Sequence, residues 1–217
     1  MRRIGLTQRV FFVSARNERC DMLDQRWSDL IGRIGGYPVP LANRVQDLDG
    51  YLESLALDAL VLTGGNDIAT LPGATSGAPE RDHFEAAAYR YFLLRNKPIL
   101  GVCRGAQMIN HLEGGRLMRV NGHVGVHHAL IWSDVAPQYW GRPTPVNSYH
   151  DWAIPPEGLA AGMEALAWGP DGMVEAFRAV HRPVSAILWH PERVDKWDPE
   201  SLALLTVLLG MRPPEVI

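Results

Sequence analysis

Lysine is almost missing from this chain: Lys97 and Lys196 are its only two, so arginine supplies nearly all of the positive charge. The formal net charge is −3 and no basic block runs along the sequence, which speaks against a nucleic-acid-binding surface. Cysteine is equally scarce, with Cys20 and Cys103 alone. Two thiols in a chain with no visible export signal are expected to stay reduced. No positively charged start leads into an apolar run of membrane length, so neither a signal peptide nor a spanning helix is expected, and the cytoplasm is the expected home. What remains is ordinary globular material, 47% apolar and 21% charged. Its 217 residues fit one catalytic domain over 1–217 with a full core.

Apolar runs alternate with stretches of helical period. Residues 4–10 read as a first strand, and 19–34 as an amphipathic helix striped by Leu23, Trp27, Leu30, Ile31 and Ile34. A short strand at 37–41 precedes a helix marked by Val45, Leu48, Leu52 and Leu55. Residues 59–62 form a compact apolar strand ending in Thr63-Gly64-Gly65-Asn66-Asp67, and 80–95 a helix striped by Phe84, Ala88, Tyr91 and Leu94. A strand at 97–102 then runs into a helix at 104–112. This βαβα alternation predicts a largely parallel sheet with helices on both faces. Beyond Gly115 the pieces are strand-like, at 126–132, 145–149, 164–168, 173–178 and 184–189. A last apolar helix at 199–209 closes the domain and is a candidate homodimer face.

Two short motifs carry chemistry. Gly101-Val102-Cys103-Arg104-Gly105 sets a cysteine between glycines where a strand switches to a helix. Trp189-His190-Pro191-Glu192 places a histidine and a carboxylate two residues apart at the end of an apolar run. Together they supply a thiol nucleophile, a base and a group to orient that base. Glycines allow the sharp turn, and the helix N-terminus behind the sulfur favours thiolate. The Arg104 amide then faces a developing oxyanion, with a second amide from the Gly64-Gly65 turn on the same sheet edge. An arbitrary cysteine such as Cys20 is usually a small hydrophobe; the glycines around Cys103 reverse that expectation.

The remaining candidates are weaker. His123 and His127 stand four apart, with His128 alongside, but on strand and turn rather than helix and without a nearby acidic cluster. They read as structural, so no metal is expected. The Gly64-Gly65 pair lacks the lysine and spacing of a nucleotide loop, and no cofactor is expected.

The stretch Gly101-Val102-Cys103-Arg104-Gly105-Ala106-Gln107, with Trp189-His190-Pro191-Glu192, resembles the class I glutamine amidotransferase family. The Thr63-to-Asp67 turn and the order Cys, His, Glu agree over nearly the whole chain. The resemblance implies a flavodoxin-like three-layer α/β sandwich, with Cys103 as nucleophile, His190 as base and Glu192 as its support. By the same match Gly65 and Arg104 give the oxyanion amides, and Gly64, Asn66, Gln107, Asn147, Ser148, Tyr149 and His150 line the pocket for the glutamyl end. The γ-glutamyl hydrolase branch, peptidase C26, is favoured by Arg104, Met108-Ile109-Asn110, Arg81-Asp82 with Glu85, Asn147-Ser148 with His150, and Val174-Glu175-Ala176. One departure is Leu188, where many members carry Gln.

Thr7-Gln8-Arg9, Asp24-Gln25-Arg26-Trp27 and Trp189-His190-Pro191-Glu192-Arg193 resemble the subgroup that removes glutamate from γ-glutamyl-CDP-amidate in surface-polysaccharide pathways. The expectation is hydrolysis of a small γ-glutamyl amide through a glutamyl thioester. Arg9, Arg16, Arg19, Arg26, Arg81 and Arg193 are candidates to meet a phosphate-bearing leaving group. Two other readings stand beside it. One is a glutaminase subunit feeding ammonia to a separate synthetase, against which Arg104 argues. The other is a non-enzymatic redox-sensing cysteine protein, which the His190–Glu192 pair disfavours.

Overall fold

A computed structural model of the chain describes residues 1–137 and 141–211. The first half runs β1 (Arg2–Leu6), β2 (Arg9–Val13), β3 (Glu18–Met22), α1 (Arg26–Arg33), β4 (Gly36–Pro40), α2 (Leu48–Leu55), β5 (Ala59–Leu62), α3 (Pro79–Leu94), β6 (Ile99–Val102) and α4 (Arg104–Leu112). The second half carries β7 (Met118–Arg119), β8 (Val124–His128), β9 (Ile131–Trp132), β10 (Val146–Tyr149), β11 (Trp152–Ala153), β12 (Met163–Trp168), β13 (Val174–Ala179), β14 (Val184–Ile187) and α5 (Pro199–Leu208).

Among the described residues eight strands form one sheet in the order β4-β1-β5-β6-β14-β13-β12-β9. The pairs from β4 to β14 are parallel, and those from β14 to β9 are antiparallel. β5 and β6, in the middle of the parallel part, are buried at every position, as a sheet covered on both faces requires. Their side chains alternate between two cores. Val61, Leu100 and Val102 pack with Trp27, Leu30 and Ile31 of α1 and Leu204, Leu205 and Leu208 of α5. Leu60, Leu62 and Ile99 pack with Leu52 of α2, Phe84, Ala88 and Phe92 of α3, and Ala106 and Ile109 of α4. The result is the three-layer, flavodoxin-like α/β sandwich expected from the alternation. Helix starts are marked chemically: the Asp47 side chain caps α2 and that of Asp198 caps α5, each accepting an amide three residues on.

The structure corrects two local expectations. Residues 9–22 are an antiparallel hairpin, β2 on β3, and the helix begins only at Arg26. The stripe that includes Leu23 suggested an earlier start. The hairpin is poorly buried, with Phe11 and Phe12 about half exposed, so it carries no clean two-residue alternation to betray it. The 126–132 strand divides as well: β8 pairs with β10, whereas β9 joins the edge of the main sheet. Among the described residues no helix is long and apolar enough to cross a membrane.

Candidate active site

Cys103 sits in the turn between β6 and α4, with φ 53 and ψ −109, a backbone conformation that L residues rarely adopt. The neighbouring glycines make the turn possible. A Cβ on Gly101 would stand 2.7 Å from the Ala106 nitrogen, and one on Gly105 would run into the Leu62 carbonyl. The helix is therefore pressed directly onto β5. The Cys103 amide donates to Ile187 O at 2.8 Å, which ties the backbone of this turn to β14. Its side chain lies at the carboxyl edge of the parallel strands and the N-terminus of α4, a position that favours negative charge.

His190 and Glu192 follow β14 on the same edge, both buried. His190 Nδ1 and Glu192 Oε1 are 2.7 Å apart. Asn147, on β10, holds the histidine backbone from both sides: its Oδ1 accepts the His190 amide at 2.8 Å, and its Nδ2 donates to His190 O at 2.9 Å and to Arg193 O at 3.2 Å. The imidazole rests on Gly64, where a Cβ would lie 2.6 Å from Cε1. Burial alone would drive the imidazole toward its neutral form. The negative charge of Cys103, its hydrogen bond, and the Glu192 carboxylate override that and raise the His190 pKa to about 9. Burial would likewise raise the Cys103 thiol, but the His190 charge and hydrogen bond, with His150 behind them, bring it below its ordinary value. Each member stabilises the ionised form of the other.

A buried ionic network joins this turn to the 63–67 loop. Arg81 Nε donates to Glu85 Oε1 at 2.8 Å, and its NH2 to Thr63 O at 2.6 Å. Its NH1 reaches the Gly64 carbonyl at 3.2 Å and bonds that of Gly65. Arg104, which follows Cys103, pairs with Glu85 and Asp82. Burial draws both guanidinium pKa values down to about 9, so both stay charged at neutral pH. Arg81 holds the loop carbonyls, Gly65 takes φ +89, and the first turn of α4 begins beside Cys103. The leading amides of that turn have no intrahelical partner.

The expected pocket residues divide by what they touch. Gly64 carries the His190 ring. The Asn66 side chain is occupied by the Val10 amide at 2.8 Å and the Val10 carbonyl at 2.9 Å, and so pins the β2–β3 hairpin. Gln107 Nε2 donates to Trp152 O at 2.8 Å, and Ser148 Oγ to His123 O at 2.7 Å. Tyr149 is partly exposed with its ring edge against His190. His150 is buried, its Nε2 3.5 Å from Glu175 Oε1. Leu188, at the departure position, packs in the core.

The arginines divide too. Arg81 is internal, Arg19 pairs with Glu80 and Arg26 with Asp24. Arg9 and Arg193 line a narrow cleft with Asp24, Trp27, Gly64 and Glu192. Two roomier cavities, of about 510 and 360 Å³, lie by Arg2, Asp58, Pro98 and Pro183 at the amino ends of the parallel strands, and one of about 450 Å³ lies between Asn43–Gln46 and Glu80 and His83.

The histidines weighed from spacing do not pair as spacing suggested. His127 is exposed, and His123 instead faces His128, with ring centroids 5.9 Å apart. Glu175 of β13 joins them; the three could hold a metal ion. Glu175 and the clamp role of Asn147 were missed as site elements. The signal for the first was a carboxylate inside the apolar stretch Val174-Glu175-Ala176.

The peptidase C26 family model matches residues 4–192. The glutamine amidotransferase-like protein YvdE of Lactococcus lactis is 34% identical over 191 residues, covering 77% of this chain and 79% of that one. The γ-glutamyl-CDP-amidate hydrolase of Campylobacter jejuni is 29% identical over 194 residues, covering 88% and 90%. Among solved structures, a glutamine amidotransferase of Thermotoga maritima matches with a TM-score of 0.63 at 15% identity, covering 88% of this chain and 76% of that one. A Thermoplasma acidophilum protein provisionally assigned to GMP synthase reaches a TM-score of 0.72 at 21% identity, covering 97% and 93%.

Proposed function

The chain belongs to the peptidase C26 family of glutamine amidotransferase-like hydrolases, and from that premise we propose that it hydrolyses the γ-amide bond of a γ-glutamyl compound whose leaving amine carries phosphate. The single observation that carries the reading is the buried Cys103–His190–Glu192 arrangement, in which the Cys103 thiol is brought below its ordinary value and the His190 imidazole above its own. Cys103 Sγ attacks the γ-carbonyl carbon, and the amides of Gly65 and Arg104 receive the oxyanion. A well-aimed donor of this kind is worth about 3–4 kcal/mol of barrier. The His190 imidazolium then gives its proton to the departing nitrogen, leaving a glutamyl thioester on the sulfur. Neutral His190 takes a proton from water, hydroxide attacks the thioester carbonyl, and glutamate leaves as the thiolate returns. Glu192 holds the ring in the productive tautomer and stabilises its charged form.

The leaving group is argued from the cleft. Arg9 and Arg193 flank Gly64 and Glu192 there, and Arg26 is close enough to sense the Glu192 charge. Guanidinium groups suit phosphate oxygens, and the Campylobacter relative is named for a nucleotide-linked substrate of this class. The test is release of glutamate from a set of γ-glutamyl amides, including a nucleotide phosphoramidate and free glutamine, by the purified chain. Preferred turnover of the phosphoramidate supports the reading. Turnover of glutamine alone, rising when a synthetase is added, would replace it with ammonia supply.

A further inference from the structure

We propose that His123, His128 and Glu175 form a site for a divalent transition-metal ion of the zinc type, beside the Cys103–His190 pair and separate from its chemistry. Glu175 is fully buried, and both of its carboxylate oxygens lack a hydrogen-bond partner. His150 Nε2 stands 3.5 Å and His128 Nε2 3.6 Å from Oε1, beyond good hydrogen-bond distance. A buried carboxylate left this way is costly unless a positive charge compensates it. One nitrogen from each of His123 and His128 and one Glu175 oxygen lie within 4.8 Å of one another. His123 Nδ1 and His128 Nε2 are themselves buried without partners.

The opposite edge of each ring is already engaged. His123 Nε2 is 2.9 Å from Asp171 Oδ2, and His128 Nδ1 is 3.1 Å from Ala129 O. A carboxylate or carbonyl that accepts from one ring nitrogen leaves the other free as a lone-pair donor, the arrangement found behind metal-bound imidazoles. Two imidazoles and a carboxylate suit zinc and its neighbours better than calcium or magnesium, which prefer all-oxygen shells. Around a tetrahedral ion the donors stand about 3.4 Å apart, so the three side chains need to close by about 1 Å. The donors come from two segments, the 123–128 stretch that ends β8 and strand β13, so a bound ion would also tie the two-stranded sheet of β8 and β10 to the main sheet.

The experiment titrates the chelator-stripped Cys103→Ala chain with Zn²⁺ against a chromogenic chelator, so that the active-site thiol contributes nothing. One Zn²⁺ per chain is expected. Affinity should fall by about tenfold or more in Glu175→Gln and His128→Ala, and by a comparable factor when Asp171→Asn removes the support of His123. His127→Ala, on the exposed face of β8, should bind as the parent does. His128→Ala keeps the test open if Glu175→Gln does not fold. Absence of stoichiometric binding by the Cys103→Ala chain overturns the proposal, because protonated histidines alone then compensate Glu175. Binding undiminished by both Glu175→Gln and His128→Ala overturns it as well.

Discussion

Replacing Gly64 by alanine should cripple turnover while leaving the fold standing. The backbone there lies outside the left-handed region, so it accepts an L side chain, but the new methyl would stand 2.6 Å from His190 Cε1. Ordinary carbon contacts begin near 3.5 Å, so the imidazole must retreat by about 0.9 Å. It cannot take its backbone along, because Asn147 bonds the His190 amide and carbonyl at 2.8 and 2.9 Å. The displacement therefore falls on the ring, and on its distances to Cys103 and Glu192. A misplacement of about 1 Å at a reacting group costs about a hundredfold in rate, or about 2.7 kcal/mol of transition-state stabilisation. The assay is kcat/KM for glutamate release from a γ-glutamyl amide, with a thermal melt to show that the chain is folded. A rate equal to the parent's would refute the argument that His190 works from its contact with Gly64.

Three further outcomes follow from the same geometry. Glu192→Gln should lower kcat by about 10²- to 10⁴-fold. Because Glu192 helps raise the His190 pKa to about 9, losing its charge lowers that value, and the alkaline limb of the kcat/KM profile should move to lower pH. Arg81→Met should cost about 1–3 kcal/mol in urea unfolding, because it strands the buried Thr63 carbonyl and removes one of the two arginines on Glu85. Asn147→Ala should cost about 1–3 kcal/mol by stranding the buried His190 amide; the melting temperature should drop and kcat should fall with it.

How much could be read from the residues alone follows from where each signal lives. β5, β6 and α4 were legible almost to the residue, because uninterrupted apolar runs and a glycine-flanked switch state strand and helix without tertiary help. The Cys103 turn was legible because its glycines answer local sterics. The β2–β3 hairpin was not. Its pairing is held by distant groups, Asn66 on Val10 and Asp21 on Asn43, and neither bond leaves a trace in hydrophobic period. Substrate roles for Asn66, Asn147 and Ser148 rested on family pattern. In the fold their side chains bond to backbone groups. The Glu175 cluster lay hidden for the same reason: its members come from segments that meet only once the sheet is built.

The most direct test of the central claim measures Cys103 alkylation against pH, with peptide mapping to separate it from Cys20. A free thiol loses reactivity as pH falls through about 8.5. Because His190 lowers the Cys103 pKa, the sulfur should remain reactive below that point, and His190→Ala, which leaves burial unopposed, should move the profile up to the ordinary thiol position or above it. A parent chain that titrates as an ordinary thiol, or a profile unmoved by His190→Ala, would contradict the thiolate–imidazolium pair.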